Sequence, residues 1–490
     1  MNVTSKKEER VVSTEGRRRM GVRHAASALL LLVMALSAMA ASCTVGPNYT
    51  RPVVTPPDTF RGSDPAAQAA VQAASVADQH WSTLFADEPL KELIKIALEQ
   101  NLDLQVAAAR ILQAQAQHGI TRSDQFPTVN AGVTGQGQRS SLNQSGDANT
   151  TGYLQIGGTL AWELDFWGRF RRASESARAQ ILASEWGRRA IVTSLVSQVA
   201  SGYFTLRALD LELEIAKRTL ASRQESLRLT QVRERGGATS LVDVRQAEQL
   251  VHTAEGEIVD TQREIEQQEN FLSVLLARFP GPIARGRPLT EQPHAPDLPS
   301  GLPSALLARR PDIQQAEQRI VSANAEIGVA KSAYFPQITL TGSGGVASAA
   351  LSALFTGTAG AWTAAASAVQ PVFNAGRTRS QVALADARRQ EAIAVYQQTI
   401  QQAFREVSDA LVGYRRTREF RETQQLLVAS AQDARRLADL RYQGGATSYL
   451  EVLDSDTRLF TAELGLVRAQ LVELSAFVEI YRALGGGWQA

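Results

Sequence analysis

Cys43 is the only cysteine among 490 residues, and it directly follows Ala40-Ala41-Ser42. A thiol behind a run of small residues can be acylated and become a new first residue. The placement resembles a bacterial lipobox, although Ala40 stands where leucine is usual. Lipidation of Cys43 is therefore expected. A single cysteine rules out a disulfide framework and a Cys-based zinc site. The five histidines (His24, His80, His118, His252 and His294) are scattered. Glu163 and Asp165 could pass for a catalytic pair, but alternation puts them on one face of a strand. There is no Walker loop, no HExxH and no Gly-x-Ser-x-Gly elbow. Gly342-Ser343-Gly344-Gly345 sits in a strand without a following helix and reads as close packing. The chain does not read as an enzyme, and no metal or cofactor is expected beyond the covalent lipid.

The elements around Cys43 fit export. Lys6, Lys7, Arg10, Arg17, Arg18, Arg19 and Arg23 precede an apolar run from Ala25 to Ala41. A charged n-region, an apolar h-region and a small-residue cleavage site form a secretory signal over residues 1–42. No later run of 18 apolar residues suggests a membrane helix. One acyl chain anchors only marginally, so something else must hold the protein in its membrane. Lys+Arg total 51 and Asp+Glu 49, and residues 1–42 hold seven of the former and three of the latter. The remainder is slightly acidic, which argues against a broad nucleic-acid surface.

Proline placement exposes the architecture. None of the 17 prolines lies between Thr128 and Phe279 or between Val372 and Ala490, whereas eight lie from Pro280 to Pro311. Proline breaks helix interiors, so the empty stretches can hold long helices and the rich one reads as a connector. The chain also repeats itself. Gly236-Gly237-Ala238-Thr239-Ser240 recurs as Gly444-Gly445-Ala446-Thr447-Ser448, Phe126-Pro127 as Phe335-Pro336, Gly168-Arg169 as Gly376-Arg377, and Arg110-Ile111 as Arg319-Ile320. One order at offsets of 208 or 209 means tandem duplication of a whole unit.

Each unit reads as helix, strand, strand, long helix, tip, helix. Arg171 to Arg235 is helical in pattern, roughly 97 Å of helix. The Gly-Gly tips break it, and Ser240 or Ser448 can cap the returning helix. Those helices carry heptads: Val244, Val251, Ile258, Ile265 and Leu272 in the first unit, and Leu453, Phe460, Val467, Leu474 and Tyr481 in the second, with Leu450, Leu464, Leu471 and Val478 as partners. A sustained seven-residue period predicts coiled-coil packing. The strand candidates alternate apolar and polar over about 10–12 residues, the length a tilted membrane strand needs. They lie at about 127–138, 153–165, 336–346 and 362–373; the last is alanine-rich and rests on the repeat. Four strands cannot close a barrel, and an open edge in lipid leaves backbone groups unpaired. If these strands enter a membrane, several chains must share one barrel, and parity alone does not choose their number; on pattern alone a half-buried soluble sheet fits as well.

Specific blocks resemble one family. Cys43-Thr44-Val45-Gly46-Pro47-Asn48-Tyr49-Thr50-Arg51-Pro52 looks like the mature start of TolC-like outer membrane factors of the NodT lipoprotein type. Trp81, Leu84-Phe85, Asp87, Pro89-Leu90, Asn101-Leu102-Asp103-Leu104 and Ala109-Arg110 resemble the blocks that follow. So do Trp162-Glu163-Leu164-Asp165 before Gly168-Arg169, Arg310-Pro311-Asp312-Ile313, and Pro371-Val372-Phe373 before Gly376-Arg377. The resemblance implies a mixed α/β membrane protein built of two tandem structural repeats. Three copies would form a 12-stranded outer-membrane β-barrel, four strands per chain, continued by a long α-helical coiled-coil tunnel into the periplasm of a Gram-negative bacterium.

On that pattern the chain divides into a signal peptide (1–42), a lipidated extended segment (43–80), a first repeat (81–279), a Pro-rich equatorial connector (280–302), a second repeat (303–484) and a tail (485–490). The resemblance implies a passive exit duct for small toxic compounds or drugs. It would be served by a periplasmic adaptor and an inner-membrane pump of the resistance-nodulation-division type. Type I protein secretion and metal-ion efflux are alternatives, and a periplasmic coiled-coil adaptor is a rival that should lack two strand pairs. By the same resemblance Glu451 and Asp454, three apart on one helix face, match acids that narrow the periplasmic mouth. The spacing of Ser448 to Glu451 also fits a capping box, as does Ser240 to Asp243. Tyr442 and Asp243 match a polar link that ties the tips shut. Gly236, Gly237, Ala238 and Thr239, with Gly444, Gly445, Ala446 and Thr447, would meet the adaptor.

Overall fold

The computed structural model describes residues 44–62, 75–139, 150–293 and 303–488. Cys43, the predicted signal at 1–42 and the end of the Pro-rich connector lie outside the described residues. The helices are α1 (Trp81–Leu84), α2 (Glu88–Gln100), α3 (Leu102–Ser123), α4 (Arg169–Arg235), α5 (Leu241–Leu275), α6 (Pro303–Arg309), α7 (Pro311–Ser332), α8 (Arg377–Gln443) and α9 (Tyr449–Ala483). The duplication is written in their lengths. Helices α3 and α7 have 22 residues each, α4 and α8 have 67, and α5 and α9 have 35. The chain forms two compact units. One takes the segment through Arg51 with Gln113–Ile181 and Gln318–Ile393; the other takes Pro52–Leu112, Leu182–Glu317 and Ala394–Ala490.

The first unit holds an antiparallel sheet of β1 (Thr128–Arg139), β2 (Thr150–Leu164), β3 (Gln337–Ser348) and β4 (Gly360–Val369), in that order. Its register sorts the faces. Val129 lies opposite Leu160, Val133 opposite Ile156, Trp162 opposite Leu340, Leu164 opposite Ile338, and Gly344 opposite Trp362. Residues directly paired share a face, so the large apolar side chains of the strands gather on one side, Val369 opposite Gln337 and Tyr153 opposite Gln136 excepted. Thr134, Gln155, Thr159, Ser343 and Thr363 gather on the other. Register also resolves β4, whose alanines hide its alternation: Trp362, Ala364, Ala366 and Ala368 fall on the apolar face. The predicted end at 373 is too long, because Pro371 has no N–H to give a ladder and pairing stops at Val369. Among the described residues β1 pairs only with β2 and β4 only with β3, leaving two open edges. The apolar face is bare, with Val129 69% and Val133 67% exposed.

A strap from the chain start is fixed beneath this sheet. Val45 N donates to Trp167 O at 3.0 Å, Asn324 Nδ2 to Pro47 O at 2.9 Å, and the buried Arg172 through Nη2 to Asn48 Oδ1 at 2.8 Å. Gly46, at φ +106°, lies so close to Gly328 that a Cβ would stand 2.6 Å from its Cα. The residue after Cys43 is thereby held at the junction of β2 and α4. There Asp165 caps α4 by accepting from the N–H groups of Phe170 and Arg171, and Glu163 pairs with Arg169 at 2.9 Å. The two acids that could have formed a catalytic pair serve this junction.

The second unit is helical. The heptad positions Val244, Val251, Ile265 and Leu272 on α5, and Leu453, Phe460, Val467, Leu474 and Tyr481 on α9, are buried. Leu450 departs from the heptad and is 60% exposed; in this first turn of α9 the neighbouring Tyr449 is the buried residue. The Pro-rich connector is pinned by Asp87, whose Oδ2 accepts from Tyr203 Oη (3.0 Å), Arg287 N (3.0 Å) and Gln292 Nε2 (2.7 Å). Burial raises the Tyr203 pKa and keeps the phenol a donor. The predicted extended segment ending at residue 80 includes a short 3₁₀ turn, Val76–Asp78, closed by a Ser75–Asp78 capping box.

The sheet explains its glycines. A Cβ on Gly345 would lie 2.2 Å from Ile156 O and 2.5 Å from Gly157 Cα, while one on Gly344 meets nothing within 4 Å. Gly345→Ala is expected to cost about 1–3 kcal/mol through overpacking. Gly344→Ala, with room for its methyl, should change little. Thermal unfolding of the two variants checks this; equal losses would contradict the packing argument.

Candidate functional site

Helices α4 and α5 form one hairpin and α8 and α9 another, and the candidate site is their pair of tips. Both turns are Schellman motifs. In the first, Ala238 N donates to Arg233 O (2.8 Å) and Gly237 N to Glu234 O (2.8 Å). In the second, Ala446 N donates to Arg441 O (2.8 Å) and Gly445 N to Tyr442 O (3.1 Å). Gly237 and Gly445 take φ of +75° and +73°, a left-handed conformation that favours glycine. Gly236, Gly237, Ala238, Gly444, Gly445 and Ala446 are exposed, while Thr239 and Thr447 are half-buried.

Identical tip sequences lead to different caps. In the first hairpin Ser240 and Asp243 form a full capping box, and Thr239 Oγ1 also donates to Asp243 Oδ2. The hydrogen bonds from Thr239, then those from Ser240, lower the Asp243 pKa. In the second hairpin Ser448 holds the N-cap position but makes no side-chain cap bond. Glu451 instead accepts from Thr447 Oγ1 and pairs with Arg441 Nη1 at 3.0 Å. The capping-box spacing at Ser448 is thus not realised as a box, which leaves Glu451 outward, 39% exposed. Asp454 is 59% exposed and pairs with Arg458 Nε at 2.8 Å.

Glu451 and Asp454 line one groove of about 770 Å³ between α8 and α9, with Arg458, Leu427, Ala431 and Ala434. The two acids are brought together, but each already has an arginine, so the face is a patchwork of charge and not purely acidic. Arg441 and Arg458 went unnoticed in the sequence, although Asp454 to Arg458 has the i,i+4 spacing of a helix pair.

Tyr442 and Asp243 make no hydrogen bond to each other in the chain. The Tyr442 ring lies 5.3 Å from that of Tyr449 and under the Arg233 guanidinium at 4.5 Å, and its Oη is buried without a hydrogen-bond partner. Asp243 uses Oδ2 alone for its cap.

The caps differ in energy. Asp243→Ala should cost about 1 kcal/mol of local stability at the start of α5, whereas Ser448→Ala should cost almost nothing at α9. Because the Asp243 pKa is depressed, its contribution is full above the ordinary carboxylate pKa and is lost as pH falls through the lowered one. Amide exchange at the two tips reads both effects, and equal responses would contradict them.

Comparison with known proteins agrees with this architecture. The family described as outer membrane efflux protein matches twice, over residues 93–278 and 302–486, once for each repeat. The cation efflux system protein CusC of Escherichia coli is 36% identical over 462 residues, covering 94% of this chain and 99% of that protein. The toluene efflux pump outer membrane protein TtgC of Pseudomonas putida is 37% identical over 465 residues, covering 94% and 96%. The open state of the MtrE outer membrane channel of Neisseria gonorrhoeae superposes with a TM-score of 0.81 at 32% identity, covering 91% of this chain and 99% of that one.

Proposed function

This chain belongs to the outer membrane efflux protein family, and on that premise we propose that it is the outer-membrane channel of a tripartite efflux system. Three copies join their four-stranded sheets into a twelve-stranded barrel, and the hairpins prolong the pore into the periplasm. An inner-membrane pump drives export through a periplasmic adaptor, which meets the exposed Gly-Gly-Ala tips. The observation that carries this reading is the register. One face of the sheet is apolar across all four strands and both edges are open. Such a sheet suits lipid outside and water inside once copies pair edge to edge. The strap at Val45–Asn48 would hold a lipidated Cys43 at the foot of the barrel.

Small organic compounds are the cargo favoured over soft metal ions. All four methionines lie within residues 1–42 and the only thiol is Cys43, so the mature duct offers no thioether and no free thiol to a soft cation. Glu451 and Asp454, ringed by symmetry, form the periplasmic gate. The buried Tyr442 hydroxyl and the unused Asp243 Oδ1 supply a link between neighbouring tips.

Planar-bilayer recording of the purified oligomer tests the gate. Glu451→Gln with Asp454→Asn leaves Arg441 and Arg458 unbalanced, so conductance of the closed pore should rise and cation preference should weaken or reverse. Unchanged conductance and selectivity would remove the gate assignment.

A further inference from the structure

Charge is absent from one whole segment of the chain. From Ser332 to Gly376 the sequence holds no Asp, Glu, Lys, Arg or His. Residues 140–149, between β1 and β2, are instead polar in sequence and include Asp147. Strand β3 follows α7 and β4 leads back to α8, so the β3–β4 loop lies at the rim of the sheet farthest from the helices. Two 3₁₀ turns, Leu351–Ala353 and Gly357–Ala359, fold this loop onto itself. Its backbone finds partners locally: Ala353 N donates to Ala350 O (3.1 Å), Leu354 N to Leu351 O (3.3 Å), Thr356 N to Ala353 O (3.3 Å) and Ala359 N to Thr356 O (3.0 Å). Ser348 Oγ accepts from Ala350 N at 3.2 Å, and Thr356 Oγ1 donates to Ala353 O at 2.7 Å. Leu354 and Ala359 are buried, while Leu351 is 70% and Phe355 79% exposed. Trp362, also 79% exposed, follows on the apolar face of β4.

We propose that this loop is a lipid-binding surface: on each copy Leu351 and Phe355 enter the acyl chains of the outer leaflet, beside Trp362. The inference rests on the barrel reading, in which the rim away from the helices is the outer one, and adds a lipid contact beyond the strands. Lipid penalises an ion that loses its water and a backbone N–H that loses its partner. This loop carries no ion and closes its turns by itself. Its two bare side chains leave water for apolar surroundings, which is favourable. Lipid is favoured over the duct mouth as those surroundings because the loop runs into the apolar face at Trp362, whereas a water-filled lumen is lined by polar side chains. A tryptophan, with an apolar body and one N–H, suits the boundary between acyl chains and headgroups. The loop thus fixes the depth at which the barrel sits and supplements the marginal hold of a single acyl chain.

Spin labelling of the full chain, reconstituted in phosphatidylcholine bilayers, tests this. Four variants are labelled in turn: Leu351→Cys, Phe355→Cys, Val133→Cys and Thr134→Cys. The unsubstituted protein, labelled in parallel, corrects for Cys43. A nitroxide among acyl chains collides more with oxygen than with a water-soluble nickel complex, and one in water does the reverse. The Leu351 and Phe355 sites should favour oxygen, as Val133 on the apolar face does, with the ratio reversed from that at Thr134 on the polar face. Nickel preference at either loop site would overturn the proposal. So would a label shielded from both reagents, because the loops would then meet one another over the pore. Both side chains are exposed, so their exchange should leave assembly intact. Failure of both loop variants to assemble would mean that they pack against protein and would overturn the proposal too. If Val133 favours oxygen and the loop sites do not, the barrel stands and only the loop contact falls. If Val133 also favours nickel, the barrel reading falls with it.

Discussion

Backbone hydrogen bonding at the sheet edges governs the rest of the molecule. Strands β1 and β4 each have one unpaired side. In hydrocarbon an unpaired N–H or C=O costs several kcal/mol, so a sheet that enters lipid must close. On the proposed reading, a chain with four strands among its described residues would close by adding copies, and symmetry would then repeat every tip residue around an axis. The exposed apolar face, on which Val129, Val133 and Trp362 stand bare, supports that reading.

In the helical unit, duplication supplied two similar hairpins and divergence gave them different tips. Asp243 is short and closes its own capping box, so the first tip is self-sufficient. Glu451, one methylene longer, leaves the Ser448 cap unmade and reaches Thr447 and Arg441. The second tip thus carries its charge outward on α9, next to Asp454 and Arg458. Buried polar side chains fasten the helices elsewhere: Asp87 holds the connector to α4 through Tyr203, and Arg310 ties α7 to α8 and α9 through Glu406 and Ala483 O.

Much of this was legible in the sequence because it is periodic. Heptads gave the helical seams, alternation gave β1 to β3, and the Gly-Gly-Ala-Thr-Ser recurrence gave the duplication. What stayed hidden depends on partners far apart in the chain. Nothing local marks Asp456 as the partner of Arg223, 233 residues earlier, or Asp87 as the acceptor for Gln292, 205 residues later. Alanine on both faces of β4 erased its alternation, and only cross-strand register restored it. Leu450 fits the heptad in number, yet it sits in the first turn of α9 and is exposed. The unused Ser448 box shows the limit of motif spacing: Ser448 and Glu451 have the right separation, but the longer Glu451 side chain turns one oxygen to Arg441, a partner Asp243 lacks.

Subunit number is the most direct test of the central claim that open strand edges are completed by identical neighbours. The mass of the protein extracted from outer membranes, measured with detergent and lipid contributions subtracted, should equal three chains with no smaller folded species. A folded monomer, stable in detergent with β1 and β4 still unpaired, would contradict the account.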